Sequence, residues 1–221
     1  MTDYLNVAIT VALLIVSSMF HEVAHAATAY ACGDPTAHDA GRITLNPFVH
    51  LHPVGSFLLP LAMVLAGGPV FAFANPVPYD PRRLRHPRRD EALVALAGPV
   101  SNALQALVGT GLFYLIDFAY MNGALQLGVA QPMAQIASTY IVVNLSLMFF
   151  NLIPLPPLDG SKLILPFLSD SARQGYYRVQ YYAMPIFLGV MYLFPMVTGY
   201  NPIGTFLHTA VYGTLNFLLG A

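Results

Sequence analysis

An apolar run near the amino terminus, residues 4–31, constrains the fold of this chain more than any other feature. It exceeds the ~20 residues with which an α-helix crosses the ~30 Å hydrocarbon core of a bilayer. Apart from tyrosines, its only ionisable side chains are His21, Glu22 and His25. Ionisable groups at bilayer depth are costly and mark functional sites, so this helix is predicted to carry chemistry inside a membrane.

The composition agrees with an integral membrane protein and excludes several kinds of site. The chain is 57% hydrophobic and 9% charged, whereas an average soluble domain is about 25% charged. The formal net charge of -1 provides no basic surface for nucleic acid, which is not expected as a partner. The single Cys32 excludes an intramolecular disulfide and a four-cysteine zinc site. Any metal must therefore be held by His, Asp or Glu.

The distribution of apolar runs predicts the fold class. A run at residues 54–74 contains prolines and a Gly-Gly-Pro sequence, so it is predicted to re-enter the membrane or to span it irregularly. The chain is therefore predicted to be all-α, a polytopic bundle of about five or six transmembrane helices. It forms a single membrane domain over residues 1–221. The regular runs are residues 4–31, 92–118, 133–153, 178–197 and 203–219.

Basic residues predict the orientation of this bundle. They are concentrated in two of the predicted loops, which the positive-inside rule places in the cytoplasm. Two predicted spans separate these loops, as expected if both face the same side. His21 would lie about 15 Å along the helix from its end near Ala31. The site is therefore predicted to be submerged towards the cytoplasmic side. The compactness of the chain favours a prokaryotic plasma membrane. The basic residues are Arg82, Arg83, Arg85, Arg88 and Arg89, then Lys162, Arg173 and Arg178.

The sequence His21-Glu22-Val23-Ala24-His25 has the HExxH spacing found in zinc proteases. On a helix, imidazoles at positions i and i+4 project from one face and can share a zinc ion. The glutamate between them lies beside the metal, where it can act as a general base. The alternative is a pair of histidines that form hydrogen bonds across a helical bundle.

A catalytic zinc needs a third protein ligand and an open position for water. Asp159 is the clearest candidate, because it follows an apolar run and a proline-rich segment that interrupts the helix at membrane depth. An aspartate at this position can also be the N-cap of the next helix. The residues alone leave both roles open.

Several motifs follow one another along the chain. They are HEVAH at 21–25, GRITLNP at 41–47, AGPVSN at 97–102 and NLIPLPPLDG at 151–160. Together they resemble the site-2 protease family of intramembrane zinc metalloproteases, in its short type without PDZ or CBS modules. The resemblance implies that His21, His25 and Asp159 bind one catalytic Zn²⁺ per chain and that Glu22 is the general base. It also implies that Asn151 contacts the substrate backbone or helps to hold the oxyanion.

The resemblance implies an endopeptidase that cleaves peptide bonds in or near transmembrane segments of other membrane proteins. Its role would be regulated intramembrane proteolysis or the clearance of membrane peptides. The residues alone leave another function open, that of a membrane carrier for divalent metals or a metal-binding scaffold without hydrolysis. The substrate and the oligomeric state are not predicted.

One position departs from the family pattern. His52 stands where relatives commonly have aspartate, and with His50 it forms a second histidine pair. Two residues at i and i+2 share one face of a strand but not of a helix. A second metal site, a pH-sensitive lid and a solvated loop are the alternatives for this pair.

Overall fold

The computed structural model describes residues 2–50 and 77–220. Within these ranges every regular element is a helix, as predicted. The segment 54–74, which is predicted to re-enter or span the membrane, lies outside the described residues, and so does His52.

Helices α1 (Thr2–Ala31), α2 (Pro87–Met121) and α3 (Leu127–Asn151) form the main bundle. These three helices are long and apolar enough to cross a membrane. They coincide with the runs at 4–31, 92–118 and 133–153 for which spans are predicted, although α2 is longer at both ends and α3 begins and ends earlier. Because α2 packs against both α1 and α3, it lies at the centre of the bundle.

The carboxy-terminal part differs from the predicted spans 178–197 and 203–219. Helix α4 (Asp170–Tyr181) is followed by α5 (Ala183–Thr198) at an angle of 69°. Pro185 explains the break, because its ring clashes with the carbonyl of the residue four positions earlier, Tyr181. Helix α6 (Pro202–Leu219) forms as predicted, yet it is not among the helices that meet the criteria for a span.

The described residues therefore contain three helices suited to cross a membrane, or four if the bent pair α4 and α5 forms one span. The predicted count of about five or six is not confirmed. The bent pair explains part of the difference, since the predicted span at 178–197 begins inside the polar helix α4.

A buried carboxylate near the start of α2 joins three separate parts of the chain. Glu91 is 1% exposed and accepts hydrogen bonds from Arg173 Nη2 at 2.9 Å and from the Tyr177 hydroxyl at 2.8 Å, both on α4. The Tyr79 hydroxyl also donates to it, at 3.3 Å. Burial and then the charge of Glu91 raise the pKa of Tyr79, so this hydroxyl keeps its proton. These hydrogen bonds to Glu91 connect residues 77–79 and α4 to the main bundle.

Candidate metal centre

Three side chains that the sequence predicts to bind metal meet between α1 and the carboxy-terminal end of α3. His21 and His25 lie one turn apart on α1, and Asp159 is the first residue of a 3₁₀ helix, Asp159–Phe167. The two Nε2 atoms are 3.0 Å apart. Asp159 Oδ2 lies 3.2 Å from His21 Nε2 and 3.1 Å from His25 Nε2. The three atoms form a nearly equilateral triangle.

The triangle has the composition and size of a zinc site. Two imidazole nitrogens and one carboxylate oxygen are a common set of catalytic zinc ligands. Ligand atoms at 2.0–2.1 Å from a tetrahedral zinc are about 3.3–3.4 Å apart. The observed separations of 3.0 to 3.2 Å are slightly shorter. These residues therefore fit a zinc ion with one coordination position left for water.

Hydrogen bonds on the far side of each imidazole orient the lone pairs towards the triangle. His25 Nδ1 lies 2.6 Å from the carbonyl oxygen of Val94, which can only accept, so Nδ1 carries the ring hydrogen. His21 Nδ1 lies 2.6 Å from Asn102 Oδ1 and donates in the same way. Both Nε2 atoms then present lone pairs to each other and to the Asp159 carboxylate. Such a cluster of acceptors is suited to hold a cation between them.

Asp159 is not the N-cap of the helix that follows it. Leu158 occupies that position, and no side chain caps the helix. The Asp159 carboxylate points at the histidines instead, with Oδ2 3.2 Å from His21 Nε2 and 3.1 Å from His25 Nε2. The alternative role of Asp159 as a cap is therefore wrong.

A cavity of about 180 Å³ lies beside the triangle. At about 30 Å³ per water molecule, it has room for roughly six. Glu22 faces this cavity, and its Oε2 accepts a hydrogen bond of 3.2 Å from the backbone N–H of Val77. The predicted base therefore borders a space that can hold the attacking water. The lining residues are His21, Glu22, His25, Val77, Tyr79, Val94, Ala95, Asn151, Pro157, Leu158, Asp159 and Lys162.

Asn151, the last residue of α3, lines the same cavity. Its Nδ2 donates a hydrogen bond of 3.0 Å to the carbonyl of Leu147, one turn earlier in α3. This bond holds the amide at the cavity wall and leaves its oxygen without a partner among the hydrogen bonds of the described residues. The predicted contact of Asn151 with a substrate stays a prediction.

Gly98 on α2 allows the two histidines to lie against this helix. A Cβ at this position would come closer than 3.0 Å to His21 Cε1 and to His25 Nε2. The next residue, Pro99, has no N–H for the carbonyl of Ala95, so the helical hydrogen bonding of α2 is interrupted at this level. The close neighbours of Gly98 are therefore the two imidazoles.

Sequence reasoning missed two residues of the site. Asn102 appears in the sequence analysis only as the last residue of the AGPVSN motif, yet its oxygen contacts His21 Nδ1. Lys162 is predicted only as a basic loop residue, yet it lines the cavity and lies 5.0 Å from the centre of the Tyr79 ring. The helical spacing of Asn102 from Gly98, one turn earlier on α2, was the available signal for the first. No feature of the sequence indicated that Lys162 belongs to the site.

Comparison with known proteins assigns the chain to a family. The model of peptidase family M50 matches residues 9–194, a range that contains both histidines and Asp159. The chain belongs to peptidase family M50. Members of this site-2 protease family are zinc metalloproteases of membranes. This M50 peptidase is accordingly a zinc metalloprotease and an integral membrane protein, which favours hydrolysis over the metal-carrier alternative.

Curated relatives agree with the family. The chain is 39% identical over 184 residues to "Putative zinc metalloprotease YwhC" of Bacillus subtilis, with 83% of this chain and 79% of that protein covered. It is 29% identical over 186 residues to "Putative zinc metalloprotease Rip2" of Mycobacterium tuberculosis, with 84% and 67% covered. No solved structure matches this M50 peptidase.

Proposed function

We propose that this M50 peptidase hydrolyses peptide bonds in or near the transmembrane segments of other membrane proteins. His21, His25 and Asp159 hold the zinc ion, and Glu22 is the general base. The observation that carries this proposal is the triangle of three acceptor atoms, 3.0 to 3.2 Å apart. Two of these atoms belong to α1, a helix of membrane-spanning length. A cavity beside Glu22 has room for the second substrate, water.

The metal ligands and Glu22 have separate roles in the reaction. His21, His25 and Asp159 would hold the zinc ion, which would supply Lewis-acid chemistry to acidify a water molecule and polarise the scissile carbonyl. Glu22 accepts one proton as the water oxygen attacks the carbonyl carbon. When the bond from carbon to nitrogen breaks, Glu22 passes that proton to the leaving amine. The products are a carboxyl group and an amine, and Glu22 returns to its starting state.

The cavity favours a locally extended substrate. An extended peptide is narrower than an α-helix, which is about 10 Å wide with its side chains, and fits a space of about 180 Å³ more readily. The carbonyl groups of a helix are also held in hydrogen bonds within the helix, so a transmembrane helix would unwind locally before its carbonyl reaches Glu22. The backbone N–H of Val77, which donates to Glu22, borders the same cavity and could contact an extended substrate. The substrate segment is thus transmembrane or juxtamembrane and locally extended.

The active site opens towards the cytoplasm in this proposal. Arg88 and Arg89 lie in the first turn of α2, and Lys162 lies at the cavity itself. Since basic residues mark the cytoplasmic side, this end of the bundle faces the cytoplasm. Substrates would reach the zinc from that side of the membrane.

The variant Glu22→Gln tests the proposal. The purified protein is reconstituted in liposomes with single-span model substrates that contain a Gly-Gly or Asn-Pro break in the span. We expect cleavage to fall by about 10²–10⁴, the usual contribution of a general base. The zinc content should stay native, because Glu22 does not belong to the triangle.

Asp117→Asn is the matched control, since it makes the same change at an exposed carboxylate on α2. It should cleave at the native rate. Cleavage by Glu22→Gln at the rate of the control would contradict the assignment of the base. Loss of zinc from Glu22→Gln would show that this carboxylate is a ligand instead.

A further inference from the structure

Asn144, on α3, is connected to the metal centre through a chain of hydrogen bonds. Its Nδ2 donates to the carbonyl of Tyr140 and to the hydroxyl of Ser17, each at 3.0 Å. Its Oδ1 accepts from Asn102 Nδ2, also at 3.0 Å. Asn102 Oδ1 lies 2.6 Å from His21 Nδ1. Ser17, Asn102 and Asn144 are fully buried. The chain runs from the backbone of α3 to one ligand of the triangle.

Each hydrogen bond in this chain has a single possible direction. The Tyr140 carbonyl can only accept, so Asn144 must direct its NH₂ group towards it. The oxygen of Asn144 then faces Asn102, which must present its own NH₂ group. The oxygen of Asn102 therefore faces His21, whose Nδ1 must carry the ring hydrogen. A backbone carbonyl of α3 thus selects the tautomer that leaves the lone pair on His21 Nε2.

We infer that Asn144 is a positioning residue of the zinc site, which fixes the Asn102 amide so that Asn102 can fix the tautomer of His21. This inference rests on the proposed role of His21 as a ligand. Without Asn144, the Asn102 amide can turn by 180°, because its oxygen and NH₂ group have nearly the same size. The turned amide presents N–H to His21 Nδ1 and favours the tautomer with hydrogen on Nε2, which cannot bind zinc.

The tautomer of His25 does not depend on a side-chain amide. His25 Nδ1 donates directly to the carbonyl of Val94, and a backbone carbonyl in a helix cannot exchange its oxygen for an N–H. Only the contact to His21 depends on a side-chain amide. The role of Asn144 is therefore specific to one ligand, which makes it separable from general packing.

Asn144→Leu tests this inference, because leucine has a similar size and neither donates nor accepts. Zinc affinity is measured on the full chain in detergent by competition with a chelator at buffered zinc concentrations. We expect affinity to fall about 10–100-fold, as is typical when the partner of a metal ligand is lost. Thermal unfolding of the zinc-free variants reports separately on the fold.

A second variant distinguishes positioning from packing. Asn102→Asp presents an oxygen to His21 in either orientation, so it no longer depends on Asn144. The double variant Asn102→Asp with Asn144→Leu should therefore recover most of the affinity that Asn144→Leu loses. A purely structural role of Asn144 gives no such rescue. If Asn144→Leu alone is too unstable to purify, the affinity of the double variant decides the question.

Gln105→Leu is the matched control. Gln105 lies one turn after Asn102 on α2 and accepts from the Tyr140 hydroxyl at 2.9 Å, so it joins the same helices without reaching His21. It should keep native zinc affinity. Equal loss in Gln105→Leu, native affinity in Asn144→Leu or failure of the rescue would overturn the inference. Absence of zinc from the native chain would instead overturn the proposed metal site, and this inference with it.

Discussion

Gly98→Ala is expected to abolish zinc binding and proteolysis together. The added methyl group would lie closer than 3.0 Å to His21 Cε1 and to His25 Nε2, a ligand atom of the triangle. Neither imidazole can withdraw freely, because each Nδ1 is held by a hydrogen bond of 2.6 Å. Helix α2 must therefore move away from α1, which breaks those hydrogen bonds and opens the triangle. We expect zinc affinity to fall by about 100-fold or more.

Gly111→Ala is the control for this variant. Gly111 lies on the same helix, and a Cβ there meets no heavy atom within 4 Å. Alanine favours a helix over glycine by up to about 1 kcal/mol, so this variant should be at least as stable as the native chain. Zinc content and cleavage are measured on both. Full zinc and native cleavage in Gly98→Ala would refute the close packing of α2 against the histidines.

Gly160→Ala is expected to weaken the site from its other side. A Cβ at Gly160 would lie closer than 3.0 Å to the backbone oxygens of Leu152 and Ile153. Backbone atoms cannot rotate away as a side chain can, so the turn that carries Asp159 must shift. His21 and His25 keep their own contacts and retain weak binding as a pair. We expect zinc affinity to fall by about 10–100-fold and cleavage to be lost.

The control is Gly175→Ala on α4, where a Cβ also meets open space. The comparison is made by chelator competition, with the helical circular dichroism signal as a check on folding. Gly175→Ala should match the native chain. Native zinc affinity in Gly160→Ala would mean that Asp159 does not depend on this turn.

Local features of the sequence predict the part of the site that lies on one helix. The spacing of His21 and His25 places their imidazoles on one face because a helix has 3.6 residues per turn. Asp159 is 134 positions from His25 along the chain, and no spacing rule connects them. The third ligand could therefore be predicted only from the resemblance to a family. From the residues alone, Asp159 could be either a metal ligand or an N-cap.

The hydrogen-bonded neighbours of the ligands could not be predicted in the same way. Asn102 and Asn144 lie on different helices, and a single asparagine in an apolar helix is also typical of ordinary packing between helices. Only the packing of α1, α2 and α3 brings their amides into one chain. The role of Gly98 could not be predicted either, because its close neighbours come from another helix.

The fold differs from prediction where apolar content was the only guide. The run at 178–197 is apolar enough to predict one span, but the helix breaks at Tyr182, three residues before Pro185, and α4 and α5 meet at 69°. Glu91 and Arg173 add to this difference, because their ion pair of 2.9 Å holds α4 against the start of α2. A hydropathy profile detects neither the break between the helices nor the ion pair.

The most direct test of the account is the zinc content of the native chain compared with Asp159→Ala. Both proteins are purified in mild detergent, dialysed against a weak chelator and measured by elemental mass spectrometry, with unfolding curves recorded in parallel. We predict one tightly held zinc per native chain and its loss from Asp159→Ala, in a variant that still unfolds cooperatively. Equal zinc in both proteins, or none in the native chain, would contradict the three-residue zinc site.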